Sequence, residues 1–325
     1  MPYRRFLVTS CLAVLCAVLG LPAAATNSRA ELEQVLKDLL AWLPGEYSSQ
    51  PQLDMERRLG TPPDGPHEHR YHIFARIDAP QIGEHVIYGQ LHAGGPDGPI
   101  IPGTQVAYIV KLDEEHMTVT VNGRRIAKGE EFEFVHLDPA RQRQITLDPQ
   151  TGGNCDFRWR RHGKQLTGYL RNKGETEQET DGMCTMVSRV SGLQMTWDAE
   201  WILNEDELWI YDNGYLEDGQ LFIGREDKTH ARRSRVRRYE CDVSTGDASS
   251  QWALGDGGAP VKTDLGSVRL LKSFWGADGG GLEERLALSL LDAENAVVAE
   301  QLAPAAGGRI ALETSKGSIR CKRVG

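Results

Sequence analysis

Three groups of side chains in this sequence have types and spacings that can do chemistry. The first is histidine: His67, His69 and His72 stand close together, with His85 and His92 further along. On a strand, His67 and His69 point the same way, a spacing that metal sites use. No third ligand is specified and His72 faces the other side, so the segment reads as a polar loop entering a strand, and no metal site is expected. The second group is arginine. Arg225, Lys228, Arg232, Arg233, Arg235, Arg237 and Arg238 form a basic segment, and in an extended strand Arg233, Arg235 and Arg237 share one face. Guanidinium forks suit carboxylates, so this row fits the acid groups of a ligand, an acidic partner surface, or a solvated edge guarded by charge. The third is the stretch 155–161, where Phe157 and Trp159 alternate with Arg158 and Arg160. Trp159 reads first as core and second as a ring on which a ligand stacks. No G-x-S-x-G elbow, H-E-x-x-H helix or phosphate loop is present, so the catalytic residues are unknown.

The ends and composition narrow the setting. Arg4 and Arg5, an apolar run over 6–21 and small residues at 23–25 have the form of a secretion signal, with cleavage expected after Ala25. The run is short for a membrane span, and no other long apolar run follows. No stable span is therefore expected after cleavage, and the protein is expected to be exported, to a periplasm or the exterior. Cys11 and Cys16 lie inside the run; Ser10 before Cys11 partly fits a lipid-anchor site but would put cleavage in mid-run, and Leu15 before Cys16 does not fit, so a lipid anchor is the lesser reading. The chain has 37 basic and 46 acidic residues, a formal charge of −9, which argues against a nucleic-acid partner. Cys155, Cys184, Cys241 and Cys321 remain after cleavage. An even number in an exported chain predicts two disulfides. Three pairings exist; Cys155–Cys184 with Cys241–Cys321 is favoured because each bond then closes one folding unit. The absence of C-x-x-C spacing disfavours zinc.

The elements that must position these groups follow from periodicity. Residues 28–43 read as a helix: Ser28 and Glu31 fit a capping box, and Leu32, Val35, Leu36, Leu39, Leu40 and Leu43 make one apolar stripe. Pro44 and Gly45 end it. Beyond it the pattern has period two. Short alternating runs recur to residue 242, at 70–78, 85–92, 105–112, 116–121, 131–136, 155–161, 165–170 and further on. Asn122-Gly123 and Asn213-Gly214 serve as turn signals. Residues 244–260, rich in Gly, Ser, Asp and Ala, read as a linker, and five further strands follow. The predicted organisation is a signal peptide at 1–25, an all-β, antiparallel barrel domain at 26–243 with one N-terminal helix, the linker, and a small β unit at 261–325.

The order of several motifs resembles the CpcT/CpeT family of phycobiliprotein chromophore lyases. The family opening, a helix and then L-x-G-x-[FY]-S-N-x-x-Q, is matched by Leu43, Gly45, Tyr47, Ser48 and Gln52, with Ser49 in the Asn place. Its L-Y-x-E-Q element is echoed by Ile87, Tyr88, Gly89 and Gln90. A glycine-cysteine step before alternating strand residues resembles 154–159. Its F-x-G and cysteine elements resemble Leu166-Thr167-Gly168 and Cys184. The closing D-R-G-[FY] pattern resembles Asp212-Asn213-Gly214-Tyr215, with Gly219 and Gly224 behind it. The likeness spans roughly 30–242. The family's Glu is absent beside Gln90, its Y-R-x-R arginines are absent near 103–106, and Asn213 replaces its Arg.

The resemblance implies a lipocalin-like calyx that holds a bilin and presents it to the cysteine of an acceptor protein, whose thiolate forms the thioether. The pocket or mouth residues it implies are Tyr47, Tyr88, Gln90, Trp159, Asp212 and Tyr215; Arg235 and Arg237, taken from the basic row, would stand in for the missing arginines and face the ligand's acid groups. The ligand would be an open-chain tetrapyrrole; no other cofactor is called for. The alternative from another class is a non-catalytic cell-envelope binder of a small apolar or acidic ligand. A third reading has the C-terminal unit docking an envelope partner.

Overall fold

The computed structural model describes residues 29–149, 155–172, 183–187, 193–246, 248–276 and 281–324. The signal expected at 1–25, with Cys11 and Cys16, lies outside the described residues. The chain begins with α1 (Arg29–Trp42), β1 (Gly45–Ser48) and α2 (Gln50–Leu59). Four strands follow: β2 (Arg70–Ile77), β3 (His85–Ala93), β4 (Val106–Asp113) and β5 (Thr118–Arg125). After the short α3 (Pro139–Gln142) come β6 (Cys155–His162), β7 (Gln165–Asn172), β8 (Met183–Val187), β9 (Gln194–Leu203), β10 (Glu207–Leu216), β11 (Leu221–Ile223) and β12 (Ala231–Arg235). The remaining strands are β13 (Arg238–Thr245), β14 (Ala248–Gly255), β15 (Gly257–Thr263), β16 (Gly266–Gly276), β17 (Leu282–Leu291), β18 (Val297–Pro304), β19 (Arg309–Thr314) and β20 (Gly317–Arg323).

The first sheet runs β10-β12-β1-β2-β3-β4-β5-β6-β7-β9 and then pairs β9 back onto β10, which closes a barrel of ten antiparallel strands. Closure removes the free edges that so many short strands would otherwise expose. β8 and β11 pair onto β9 and β10 without being members of the closing order. The predicted apolar stripe of α1 is buried at Leu32, Val35, Leu39 and Leu43, in part among the inward side chains of the barrel. Arg29 reaches Glu114 at 2.6 Å, and Arg161 pairs with Asp38. These contacts set α1 against the β4–β5 and β6–β7 turns, so the helix covers one end of the barrel.

Several local expectations change. Residues 50–59 form a helix that alternation did not announce, because its buried residues are Pro51, Gln52 and Glu56 rather than an apolar stripe. The expected strand at 131–136 is instead two short 3-10 turns, with Lys128 and Phe134 in the left-handed region. Asn122-Gly123 and Asn213-Gly214 lie within β5 and β10 rather than at turns. Gly214 is the tighter of the two glycines, since a Cβ there would sit 2.7 Å from Ile223 Cγ2.

The expected linker at 244–260 is also corrected: it is strand for most of its length. β14-β13-β20-β19 and β15-β16-β17-β18 form two sheets of four strands. They share one core that includes Tyr239, Val243, Leu254, Leu270, Leu288 and Ile319. The C-terminal unit is thus a β-sandwich beginning at Arg238. The composition misled because β14 and β15 are edge strands with polar, half-exposed faces. Both predicted disulfides are present: Cys155–Cys184, with Cα atoms 5.9 Å apart, and Cys241–Cys321, at 4.0 Å. Such bonds belong to oxidising environments. Among the described residues no helix is long and apolar enough to cross a membrane.

Candidate functional site

Ladder partners share a face of the sheet, so the register identifies what points into the barrel. Tyr47 pairs with both His72 and Arg235, Phe74 with Gly89, Ile87 with Tyr108, and Trp201 with Ile210. Leu208 pairs with Arg233, and Asp212 with Ala199. His72, Phe74, Tyr108, Trp201, Asp212 and Arg233 therefore face one another across the interior. Phe74, Tyr108 and Trp201 form an aromatic triangle with centroids 5.7, 5.9 and 6.2 Å apart, and Phe157 joins at 4.9 Å from Trp201. Glycine makes room for these rings: a Cβ on Gly89 would lie 2.6 Å from Tyr108.

Asp212 is the polar centre of this interior. Its Oδ1 accepts from the Trp201 indole at 3.4 Å. Asp212 faces inward opposite Ala199, yet it retains exposed surface. Together these facts place it on the wall of a hollow. Enclosure pushes its pKa up to about 6, against the opposing effects of the Trp201 hydrogen bond and the Arg233 charge.

Arg233 is 7% exposed and donates from Nη1 to a His72 ring nitrogen. Its Nε has no partner, and it forms no ion pair among the described residues. Burial lowers its pKa to about 10, so it stays charged at neutral pH. Burial, with the Arg233 charge behind it, drives His72 well below the usual imidazole range. His72 is then the neutral acceptor that this contact requires. Burial also raises the pKa of the Tyr108 phenol. The arrangement offers a planar cation, a carboxylate and flat aromatic walls, but no nucleophile beside a base.

The structure brings some of the predicted residues here and not others. Asp212 lies in the hollow. Tyr47 and Trp159 face inward but belong to the packed end beneath α1, where both are almost fully buried. The Tyr47 hydroxyl donates to the Trp42 carbonyl. The Trp159 indole lies over Gly168, where a Cβ would sit 2.5 Å from Cε2. Tyr88 and Gln90 point outward, beneath the segment that joins β5 to β6. There the Tyr88 hydroxyl donates to Gln90 Oε1 at 2.6 Å, and the Phe134 amide donates to the same oxygen at 3.0 Å. Gln90 Nε2 donates to His92 at 2.7 Å. Tyr215 also points outward, accepting from Asn213 Nδ2 at 3.0 Å.

Arg235 and Arg237 are not available to a ligand's acid groups. Arg235 donates to the carbonyls of Trp42, Pro44 and Glu205 and to the Tyr47 hydroxyl, tying the end of α1 to the barrel. Arg237 pairs with Asp206 at 2.6 Å. β12 ends at Arg235, so the three-arginine row is broken and Arg233 alone reaches the hollow. His67 is held by Glu56 at 2.5 Å and Gln52 at 3.1 Å, away from the barrel interior. No group of three metal-ligating side chains occurs among the described residues.

A groove of about 660 Å³ runs along the α1 end, between Trp42, Lys164, Glu205, Asp206 and Glu284. Asp206, Glu207 and Arg161, which also line it, are each matched within the protein by Arg237, Arg232 and Asp38. The hollow, with an unpaired buried cation, is the stronger site. His72 stands out in the sequence only as part of the histidine cluster, and Phe74 escaped sequence reading because alternation in β2 points to 71, 73, 75 and 77 as the apolar side. Both faces of β2 are in fact buried at its centre.

No family model and no curated protein matches the chain. Among solved structures it is similar to the CRL protein of Arabidopsis, with a TM-score of 0.45 and 15% identity, over 63% of this chain and 98% of that one. A likeness of that size carries nothing about function, and the site rests on its own geometry.

Proposed function

We propose that the barrel binds an open-chain tetrapyrrole or a similarly flat, acid-bearing conjugated ligand, and that the protein is chromophore-lyase-like in presenting it to an acceptor thiol after export. The observation that carries this reading is the enclosed Arg233 guanidinium without an ion-pair partner, facing the Asp212 carboxylate across an aromatic-walled hollow. A ligand carboxylate would meet Arg233, its N–H groups would meet Asp212, and its plane would lie against Phe74, Tyr108 and Trp201. Charge-assisted hydrogen bonds of this kind contribute roughly 1.5–3 kcal/mol each. The inward side chains would bind, orient and shield the ligand, while the acceptor's thiolate would make the bond.

Titration of the purified protein with biliverdin tests the reading. A one-to-one complex in native mass spectrometry, with a shifted absorption band that Arg233→Met weakens, is the expected result. A wild-type protein that takes up no biliverdin would sink it. The second reading, a non-catalytic carrier, is favoured by the lack of a free nucleophile among the described inward residues. Incubating the loaded protein with a cysteine-containing acceptor separates the two: transfer supports the lyase-like role, and retention supports the carrier.

A further inference from the structure

The two disulfides sit differently in the fold. Cys241–Cys321 joins directly paired neighbours, β13 and β20, inside the sandwich core. Cys155–Cys184 joins β6 to β8, and in the sheet order β7 and β9 lie between these two strands. Their Cα atoms are nevertheless 5.9 Å apart. The register explains the proximity. β9 pairs with β7 at residues 200–203 and with β8 at residues 194–198. The wall forks between β7 and β9, and β8 fills the fork.

The bond also lies on the side of the hollow. Cys155 shares the inward face of β6 with Phe157 and Trp159, and Cys184 pairs with inward-facing Trp197. Cys184 belongs to one apolar cluster with Leu170 and Ala199, and Cys155, Phe157 and Trp197 pack against it. Phe157 in turn touches Trp201, whose indole reaches Asp212. A run of contacts thus leads from the sulfurs to the carboxylate. Cys184 is fully enclosed, whereas Cys155 is half-buried, so an attacking thiol would reach the Cys155 side first.

We propose that Cys155–Cys184 is a redox latch on the barrel hollow. Oxidised, it pins β8 into the fork beside Phe157 and Trp197. Reduced, β8 keeps its five-residue ladder to β9 and loses its tie to β6. The chemistry is thiol–disulfide exchange with an external dithiol. One thiolate of the dithiol attacks Cys155 sulfur and expels the Cys184 thiolate. The second thiol then displaces Cys155, and the donor leaves as a cyclic disulfide. Two electrons and two protons pass to the protein, giving two thiols. The functional consequence rests on the ligand-binding reading of the hollow; the structural one does not.

The test reduces the full-length protein with dithiothreitol, alkylates it, and maps the labelled cysteines by mass spectrometry. Biliverdin affinity and backbone hydrogen exchange are read on the same samples. With Cys155 and Cys184 labelled, biliverdin is expected to bind about tenfold more weakly, because the binding-competent wall is less populated. Exchange in β8 and β9, over 183–187 and 194–203, is expected to quicken while β6 stays protected. Cys155→Ser with Cys184→Ser should reproduce both changes without reductant, and Cys241→Ala with Cys321→Ala should leave biliverdin affinity within about twofold. Unchanged affinity in protein labelled at Cys155 and Cys184 overturns the latch. If oxidised protein binds no biliverdin, the ligand reading fails separately. The latch then stands or falls on exchange, and unchanged protection in β8 and β9 refutes it. Should the serine variant lose its far-ultraviolet β signal, the reduction series on wild-type protein decides.

Discussion

A guanidinium enclosed by protein with no carboxylate in ion-pair contact is costly unless something anionic meets it. Arg233 is in that position, which gives opposite expectations for stability and binding. Replacing Arg233 with Met should raise the stability of ligand-free protein by about 1–2 kcal/mol in chemical denaturation, while weakening biliverdin. A loss of stability would mark Arg233 as a structural group instead. Asp212 supplies a pH signature. Its folded pKa, about 6, lies above the ordinary 3.8, and Asp256, enclosed at the start of the sandwich, is raised to about 6 as well. Between about pH 4 and pH 6 the folded state therefore holds more protons than the unfolded one, so unfolding free energy should fall as pH rises through that window. Denaturation curves across it should flatten in part with Asp212→Asn and further with Asp256→Asn added. Asp212 was legible in the sequence through a motif. Arg233 was legible as a basic residue, but its selection from a row of seven required knowing where β12 ends.

At the scale of elements, inward glycines set what the barrel can hold. Gly168 lies under the Trp159 indole, so Gly168→Ala should destabilise the protein by about 1–3 kcal/mol, with a lowered denaturation midpoint as the readout. Gln90 serves the outer face. Gln90→Leu strands the Phe134 amide, at about 1–3 kcal/mol for the unpaired group, while the Tyr88 hydroxyl keeps the Phe132 carbonyl at 3.1 Å; biliverdin binding should be unchanged because neither group faces the hollow. Period-two runs revealed most strands, and the apolar stripe revealed α1 to within a residue at each end. What they did not reveal was α2, whose buried residues are Pro51, Gln52 and Glu56, or the turns at 129–137, where Val135 alone is fully buried, without a period to announce it. Alternation carries no trace of such burial.

At the scale of the whole molecule, the barrel and sandwich are fastened without a spacer. Only Val236 and Arg237 separate β12 from β13, and both are held: Val236 N donates to Glu46 O at 2.8 Å and Arg237 N to Asp256 Oδ1 at 2.7 Å. Ser48 Oγ donates to Gly257 O at 2.9 Å, and Ser273 Oγ donates to Asp54 at 2.6 Å while accepting from Arg58 at 2.8 Å. Arg58 also stacks on Trp275, 4.2 Å from the ring centre. The two units should therefore melt in one calorimetric transition. Asp54→Ala with Arg58→Ala should split it or broaden it.

The two-residue junction also dictates where the chain can be divided. A cut near residue 244, where glycine and serine become frequent, would leave β13 attached to the barrel with both of its ladder partners, β14 and β20, gone. Tyr239, Cys241 and Val243, all almost fully buried in the intact molecule, would then stand on a bare strand with open edges. Such a fragment would aggregate through that strand, and a failed preparation would say nothing about whether the barrel folds alone. A cut after Val236 removes the sandwich as a unit and leaves the barrel ladder whole.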